Sequence, residues 1–210
     1  MPERQSLRGE ITAFYALALP EFHMPFHAHD SFEIMYITAG TCRIFCADET
    51  FQAEPNHFVF ISARVPHRLE ITPDRPCSIL NLEFTVSCGE GAYPMSELLS
   101  KCGDFREFWK KMPSYRYGGD MRDLGYALKD LISHLQKSPD RADFLLYLLY
   151  SRTMTELAYS VIHEKENTGL YYLRKACRYI DQNIHETIRV PDLAAYTGIN
   201  KSYLQSLFSR

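Results

Sequence analysis

The sequence VPDLAAYTGINKSYLQSLF, residues 190–208, decides the fold of the last part of this 210-residue chain. Pro191 in a first turn, followed by Asp192, favours the start of a short helix, and Gly198 favours its end. Asn200 then suits the N-cap of a second helix. We therefore predict two short helices joined by a tight turn.

The apolar spacing in this segment predicts how the two helices pack. Leu193 and the small Ala194 face the partner helix, Ile199 fills the corner, and the second helix has an apolar stripe formed by Leu204, Leu207 and Phe208. The opposite face carries short polar side chains: Ser202, Gln205, Ser206 and Ser209. Such a face suits the major groove of DNA. The pattern predicts a DNA-reading helix-turn-helix, and a small helical packing unit without DNA contacts is the alternative.

Charge favours the same interpretation. A further helix is predicted ahead of the pair, with apolar residues at helical spacing: Leu173, Ala176, Cys177, Ile180 and Ile184. Basic side chains available for phosphate are Arg174, Lys175, Arg178 and Lys201. From Leu170 to Arg210 six basic residues stand against three acidic ones, a net charge of +3, whereas the whole chain carries −3. Residues 1–169 therefore carry −6, and the basic character is confined to the segment predicted to meet DNA.

The amino-acid composition narrows the classes to which this protein can belong. With 46% hydrophobic and 23% charged residues the chain has the composition of a globular protein. The N-terminus lacks the apolar run of a secretory signal, and the longest apolar stretch, Phe144 to Tyr150, is shorter than the ~20 residues of a membrane span. We expect a cytoplasmic protein with no membrane contact. Its six cysteines are expected to be reduced and buried, and a redox role for Cys42 and Cys46, which share a strand face, is the alternative.

The rest of the chain has two compositions. Residues 11–86 carry β-branched and aromatic runs broken by turns, which is typical of an antiparallel barrel or sandwich. After residue 93 the period becomes helical, with helices expected over Ser96–Cys102, Phe105–Met112, Arg122–Gln136 and Ala142–Glu164. The last two predict a helical hairpin whose surplus apolar surface fits either a homodimer interface or packing on the barrel. Residues 164–169 suit a linker.

A second group of residues carries chemistry. His27 and His29 lie two apart, so they share one face of a strand, and Glu33 has the same parity. A straight strand would place His27 and Glu33 roughly 20 Å apart, so a shared site requires a turn, which fits best at Asp30–Ser31. With His67 from another strand, three imidazoles and a carboxylate suit divalent Fe, Mn, Ni, Co or Zn. Ligand-lining or hydrogen-bonded core histidines are the other interpretation.

These residues also carry a family resemblance. The pattern His27-x-His29-x3-Glu33-x6-Gly40, followed by Pro66–His67, resembles the first cupin motif and part of the second. Residues 190–208 resemble the first of the two helix-turn-helix units of the AraC family of bacterial transcription regulators. The resemblance implies an effector-binding and dimerisation domain over residues 1–165 and the first half of a DNA-binding domain over residues 170–210. The second helix-turn-helix of that family is missing, so we expect a truncated chain with weakened or lost operator binding.

The expected fold class is thus α+β, an N-terminal antiparallel cupin-like β-barrel with a helical hairpin, followed by an all-α helix-turn-helix unit. The resemblance implies a transcription regulator that is not an enzyme and that responds to a small-molecule effector such as a sugar. The expected effector pocket consists of His27, His29, Glu33, Tyr36, Phe45 and His67. Expected DNA contacts are Lys201, Ser202, Gln205, Ser206, Arg174 and Arg178. No cofactor is certain, and the candidate metal ligands are His27, His29, Glu33 and His67.

Two other functions fit parts of the sequence. A metal-dependent cupin enzyme, an oxygenase or isomerase, would use the same histidines and glutamate to hold a catalytic ion. A protein-interaction module would use the helical hairpin and would not bind duplex DNA in a salt-sensitive way. The basic C-terminal segment favours the regulator over both.

Overall fold

The structure is a computed structural model that describes residues 6–89, 91–137, 143–163 and 168–209, apart from the side chains of Pro94, Thr168, Leu170, Tyr171 and Arg174. The chain divides into two units, Met1–Ile162 and His163–Arg210.

In the described part of the first unit, ten strands are present: β1 Leu7–Leu19, β2 Phe22–His23, β3 Phe32–Gly40, β4 Cys42–Cys46, β5 Glu49–Ala53, β6 His57–Ile61, β7 His67–Ile71, β8 Cys77–Cys88, β9 Tyr93–Pro94 and β10 Tyr115–Gly119. They pair antiparallel in two sheets, one in the order β10-β6-β3-β8-β1-β9 and one in the order β2-β7-β4-β5. The expected closed barrel is not seen in the described residues, whose strands form two antiparallel sheets.

One apolar core lies between the sheets. Its buried side chains come from β3, β6 and β8 of the six-stranded sheet and from β4, β5 and β7 of the other, and they include Met35, Ile44, Val59, Leu69 and Ile79. Burial of this apolar surface is the main force that holds the two sheets together.

A second core covers the other face of the six-stranded sheet. Helices α1 Met95–Lys101, α2 Gly103–Lys110, α3 Leu124–Lys137 and α4 Phe144–Ile162 contribute to it, and they bury sheet residues such as Phe58, Phe60, Leu82 and Phe84. The central strands are therefore buried on both faces, which explains why β3, β6 and β8 read as nearly continuous apolar runs instead of alternating.

One polar contact fixes α3 against the sheet. Asp120 is buried ahead of the helix and accepts hydrogen bonds from the backbone N–H groups of Leu124 at 3.1 Å and Gly125 at 3.0 Å. The Tyr36 hydroxyl of β3 donates to the same carboxylate at 3.0 Å. A Cβ at Gly125 would lie 2.4 Å from the Tyr36 hydroxyl oxygen, so glycine is required for this approach.

The predicted helices lie close to the observed ones, with ends that differ by one to three residues where both ends are described. The predicted loop at residues 138–140 lies outside the described residues. Strand β10 was not predicted; it pairs with β6 at the edge of the larger sheet. None of the described helices is long and apolar enough to cross a membrane.

The described residues of the second unit form the helices α5 Thr168–Gln182, α6 Val190–Thr197 and α7 Lys201–Phe208. Gly198 ends α6 in the left-handed conformation, with φ of 77°, and its N–H donates to the Ala194 carbonyl at 2.9 Å. The Asn200 side chain accepts from the Tyr203 N–H at 2.8 Å and so caps α7. The local signals of the sequence therefore act as predicted.

Several details of this unit differ from the prediction. The buried cluster contains Ala176, Leu193, Ala194 and Leu204, whereas Phe208 is 50% exposed and Ile184, beyond the end of α5, is 64% exposed. Cys177 and, in the first unit, Cys88 are also exposed, so the expectation of uniformly buried thiols is wrong for these two. Thr168 and Gly169 belong to α5 and not to the linker.

Replacement of Gly40 tests how closely the end of β3 approaches the backbone at Pro76. It has φ of +72°, and an added Cβ would lie 1.8 Å from the Pro76 carbonyl oxygen, whereas Gly89 has φ of +84° with nothing within 4 Å of an added Cβ. We expect Gly89→Ala to cost only the left-handed strain, roughly 1–2 kcal/mol, and Gly40→Ala to cost clearly more because backbone must move. Urea unfolding followed by Trp109 fluorescence measures both, and equal losses would contradict the packing constraint.

Candidate functional site

His27 and His67 meet at one end of the space between the sheets. Their backbones exchange two hydrogen bonds, 3.1 Å from His27 N to His67 O and 2.9 Å from His67 N to His27 O, and their rings are 4.2 Å apart between centroids. His67 has the parity of Leu69 and Ile71 on β7, which face the core between the sheets. This pairing therefore brings two imidazoles together from segments 40 positions apart in the chain.

The backbone bends at Asp30 and Ser31, where the sequence analysis places a turn. The bend returns the chain so that His29 Nε2 lies 3.2 Å from Glu33 Oε2. Glu33 reaches inward from β3, and its Oε2 atom also lies 2.9 Å from His67 Nε2. The structure thus brings together all four residues that the sequence singled out as candidate metal ligands.

The Nδ1 atoms of these histidines face backbone carbonyl oxygens. His67 Nδ1 lies 2.9 Å from Val65 O and His29 Nδ1 lies 3.0 Å from Ser31 O, with His27 Nδ1 at 3.4 Å from Pro25 O. Since a carbonyl oxygen only accepts, Nδ1 carries the proton. In the neutral rings the Nε2 lone pairs are then free, and at His29 and His67 they point toward Glu33.

Electrostatics keeps Glu33 ionised in spite of its burial. Burial alone would raise its pKa, but hydrogen bonds and charge from His29 and His67 lower the pKa to about 2. The hydrogen bond to Glu33 likewise raises the pKa of His29, and at His67 the same partner outweighs the lowering by burial. In the absence of a metal ion, protons on the two imidazoles supply the positive charge that the carboxylate requires.

The site also contains residues that the sequence analysis missed. Glu83 of β8 lies directly opposite Glu33 of β3, and its Oε2 atom accepts a hydrogen bond from the Ser31 hydroxyl at 2.9 Å. Tyr15 of β1 is near both carboxylates, since burial and the charges of Glu33 and Glu83 raise its pKa. The available signal was the run CSILNLEF of β8, in which Asn81 and Glu83 interrupt an otherwise apolar strand.

Two predicted pocket residues lie elsewhere. Tyr36 points to the opposite face of β3, into the core with the helices, because its parity differs from that of Glu33. Phe45 points away from the core between the sheets, where its ring lies 3.9 Å from Arg68 Cζ and 6.4 Å from the Phe26 ring. Neither aromatic side chain therefore lines the histidine cluster.

The cluster fits a divalent cation. One nitrogen from each of His27, His29 and His67 lies within 4.8 Å of the others. His67 is 2% exposed, and its Nε2 atom has no well-aligned hydrogen bond within the described part of the chain, although Glu33 is near. Neutral imidazoles oriented through Nδ1 and beside a carboxylate are the usual surroundings of a protein-bound metal. A divalent ion here would supply Lewis-acid activation of a bound molecule.

The strands that hold this cluster can be compared with known families. Residues 13–88 match the AraC-like ligand binding domain. We call these residues the AraC-like segment; it includes His27, His29, Glu33, His67 and Glu83. No curated protein matches the chain.

Several solved structures are similar to parts or most of the chain. A cupin protein from Bacteroides fragilis is 17% identical over 38% of this chain and 66% of its own, with a TM-score of 0.31. The DMSP lyase DddQ from Ruegeria pomeroyi is 31% identical over 38% of each chain, with a TM-score of 0.31. ToxT from Vibrio cholerae, bound to a methylnaphthalenyl butenoic acid, is 10% identical over 97% of this chain and 76% of its own, with a TM-score of 0.40.

A surface cleft lies apart from the histidine cluster of the AraC-like segment. Its volume is about 320 Å³, and it is lined by polar residues of β4, β5, β7 and the following loop, among them Arg43, Gln52, Glu70 and Asp74. Arg43 and Glu70 form an ion pair there. None of the six predicted effector-pocket residues lines this cleft.

The predicted DNA contacts form part of the second unit. Lys201, Ser202, Gln205 and Ser206 are all exposed on α7. The Ser206 hydroxyl donates to the Tyr203 carbonyl at 2.8 Å, so this donor is engaged within the helix. Arg178 is half-buried on α5, and Arg174 belongs to α5 with its side chain outside the described residues.

The ionisable groups of the histidine cluster should give the metal-free protein a free energy of unfolding that is highest at mildly acidic pH. Glu33 has a pKa lowered from 4.5 to about 2 on folding, so its contribution is complete above pH 4.5 and is lost toward pH 2. His29 and His67 have pKa values raised from 6.5, so their contribution is complete below pH 6.5 and is lost as pH rises through the raised values. We expect maximal stability between about pH 4.5 and 6.5 from these groups.

Urea unfolding across pH 3–9 measures this dependence. Glu33→Gln should flatten the profile on both sides, because it removes the partner of both imidazoles. Glu10→Gln, an exposed change of equal charge on β1, is the control. A Glu33→Gln profile parallel to that of the unmodified chain would contradict the assignment.

Proposed function

We propose that this chain is a transcription regulator in which a small molecule, bound at the histidine cluster, controls DNA binding by the second unit. The observation that carries the proposal is the order of two features along the chain. A segment that matches the AraC-like ligand binding domain is followed by a helix pair with a capped, polar-faced second helix.

The local chemistry of α7 supports the DNA-binding part. Gln205 is exposed, and a glutamine side chain can pair with both N6 and N7 of adenine. Lys201 at the start of the helix is exposed and available for phosphate. Leu204 and Leu207 are buried on the opposite face and hold the helix in place. Specificity would therefore depend on Gln205 with Ser202, and affinity on the basic side chains.

Replacement of Gln205 tests this interface. Gln205→Ala should weaken binding to the DNA upstream of the protein's own gene by about 1–3 kcal/mol, which is roughly tenfold or more, because a bidentate base contact is lost. Gln182→Ala, an exposed glutamine at the end of α5, should leave binding unchanged. Fluorescence anisotropy at several salt concentrations measures both. Equal affinities of the two variants, or binding that does not weaken with salt, would count against the proposal.

We further propose that the chain forms a homodimer through its helical hairpin of α3 and α4. On α4 three apolar side chains are exposed in the first turns, with Phe144 at 69%, Leu145 at 48% and Leu148 at 47%. Arg152 follows on α4 and pairs with Asp130 of α3 at 2.9 Å. An apolar stripe beside charged residues is typical of a helical interface.

A charged side chain placed in the exposed apolar stripe of α4 tests the proposed dimer. Leu148→Glu should shift the chain from dimer to monomer in analytical ultracentrifugation, because a carboxylate would be buried without a partner. Leu17→Glu places the same change at an exposed position of β1 and should leave the dimer intact. A Leu148→Glu protein that stays dimeric would exclude this face as the interface.

The geometry of the cluster favours a second candidate, a metal-dependent enzyme. Three imidazoles and a carboxylate converge, and the Nε2 atom of His67 is oriented for a cation. Elemental analysis together with the DNA-binding assay separates the two functions. Stoichiometric redox metal without salt-sensitive DNA binding would favour the enzyme, whereas DNA binding that responds to the occupancy of the cluster would favour the regulator.

A further inference from the structure

Glu83 changes the composition of the histidine cluster. It is outside the motif residues His27, His29, Glu33 and His67, and yet its carboxylate lies directly across from that of Glu33 on the neighbouring strand. Like charges directly opposite each other in antiparallel strands destabilise a sheet. Two carboxylates at this position are therefore stable together only with positive charge between or beside them.

The distances fit a shared ion. Two atoms bound to one metal ion at about 2.1 Å can be no more than about 4.2 Å apart. His29 Nε2 lies 3.2 Å from Glu33 Oε2 and 3.9 Å from Glu83 Oε2, both within this limit. His29, Glu33 and Glu83 form one group of neighbouring ligand atoms, and His27, His29 and His67 form another. His29 thus links Glu83 to the three-histidine group.

Ser31 orients this pair. Its single hydroxyl proton is donated to Glu83 Oε2 at 2.9 Å. The contact of 2.9 Å between Ser31 Oγ and His29 Nδ1 must then be donated by the imidazole N–H. This leaves a lone pair on His29 Nε2, on the side of the carboxylates. Hydrogen-bonded carboxylates and oriented imidazoles are what metal ligands require from their surroundings.

Two buried polar side chains lie beside the same space. His67 Nε2 lies 2.9 Å from Glu33 Oε2, but this contact is not a well-aligned hydrogen bond. Asn81 has the same parity as Glu83 on β8, is 0% exposed and interacts with Tyr15. A buried imidazole nitrogen without a well-aligned partner indicates a bound ion or water.

We propose that Glu83 is a metal ligand of this site, held in position by Ser31, and that it raises the affinity of the site for Mn²⁺ more than its affinity for Zn²⁺. The ligand set is then three imidazole nitrogens and two carboxylate oxygens. Zn²⁺ is satisfied by four ligands, whereas carboxylate oxygens and higher coordination suit Mn²⁺. The inference rests on the proposed ligand site, and it does not depend on DNA binding.

Metal titration of chelator-treated protein tests the proposal, with Mn²⁺ followed by its EPR signal and Zn²⁺ by competition with a chromophoric chelator. Glu83→Gln should lower Mn²⁺ affinity about tenfold or more and Zn²⁺ affinity much less. Ser31→Ala should weaken Mn²⁺ binding in the same direction, and Ser31→Thr should restore it. Glu10→Gln is the control for charge, and Trp109 fluorescence reports folding of each variant.

Three results would overturn the proposal. They are the absence of Mn²⁺ binding by the unmodified chain, unchanged Mn²⁺ affinity in Glu83→Gln, and equal losses of Mn²⁺ and Zn²⁺ affinity in that variant, which would indicate a structural role. The titration contains no DNA, so the fate of the regulator proposal is decided separately. If DNA binding is absent while Glu83→Gln still lowers Mn²⁺ affinity more than Zn²⁺ affinity, the proposed function alone is overturned.

Discussion

A carboxylate buried between two imidazoles is the constraint on which the candidate site depends. Glu33 is almost completely buried, and an ionised group there is stable only if positive charge lies beside it. Three features bring positive charge to Glu33. They are the bend at Asp30–Ser31, the backbone pairing of His27 with His67 and the Nδ1 contacts of the histidines. Each orients an imidazole so that its other nitrogen is available to the carboxylate or to a cation shared with it.

The same constraint explains the position of the site in the fold. The space between the sheets is apolar over most of its length, with Met35, Ile44 and Leu69 in contact. Among the described residues, imidazoles and carboxylates gather where His27 crosses His67, because there charged groups from both sheets can neutralise one another.

The features predicted correctly from the sequence are those that depend on neighbouring residues along the chain. Gly198 and Asn200 define the helix pair at the end of the chain through backbone conformation and capping, which involve neighbouring residues only. Parity and the need for a bend brought His27, His29 and Glu33 together correctly. Other features depend on which strands become neighbours and were therefore not predicted. They are the partition of the strands into two sheets, the edge strand β10 and the position of Glu83 in the site. Tyr36 and Phe45 lie outside the cluster because each belongs to the other face of its strand. Tyr36 differs in parity from Glu33 on β3, and Phe45 shares the outer face of β4 with the exposed Arg43.

The hydroxyl of Tyr36 gives the larger sheet a mechanical role. Glu33 and Tyr36 are three residues apart on one strand and point to opposite faces, one to the imidazoles and one to the carboxylate that caps α3. Because Gly125 leaves no clearance around the phenol, the strand and the helix cannot slide past each other. A shift of this strand at Glu33 would therefore be passed on to the first turn of α3, so that the strand couples the histidine cluster to the hairpin of α3 and α4.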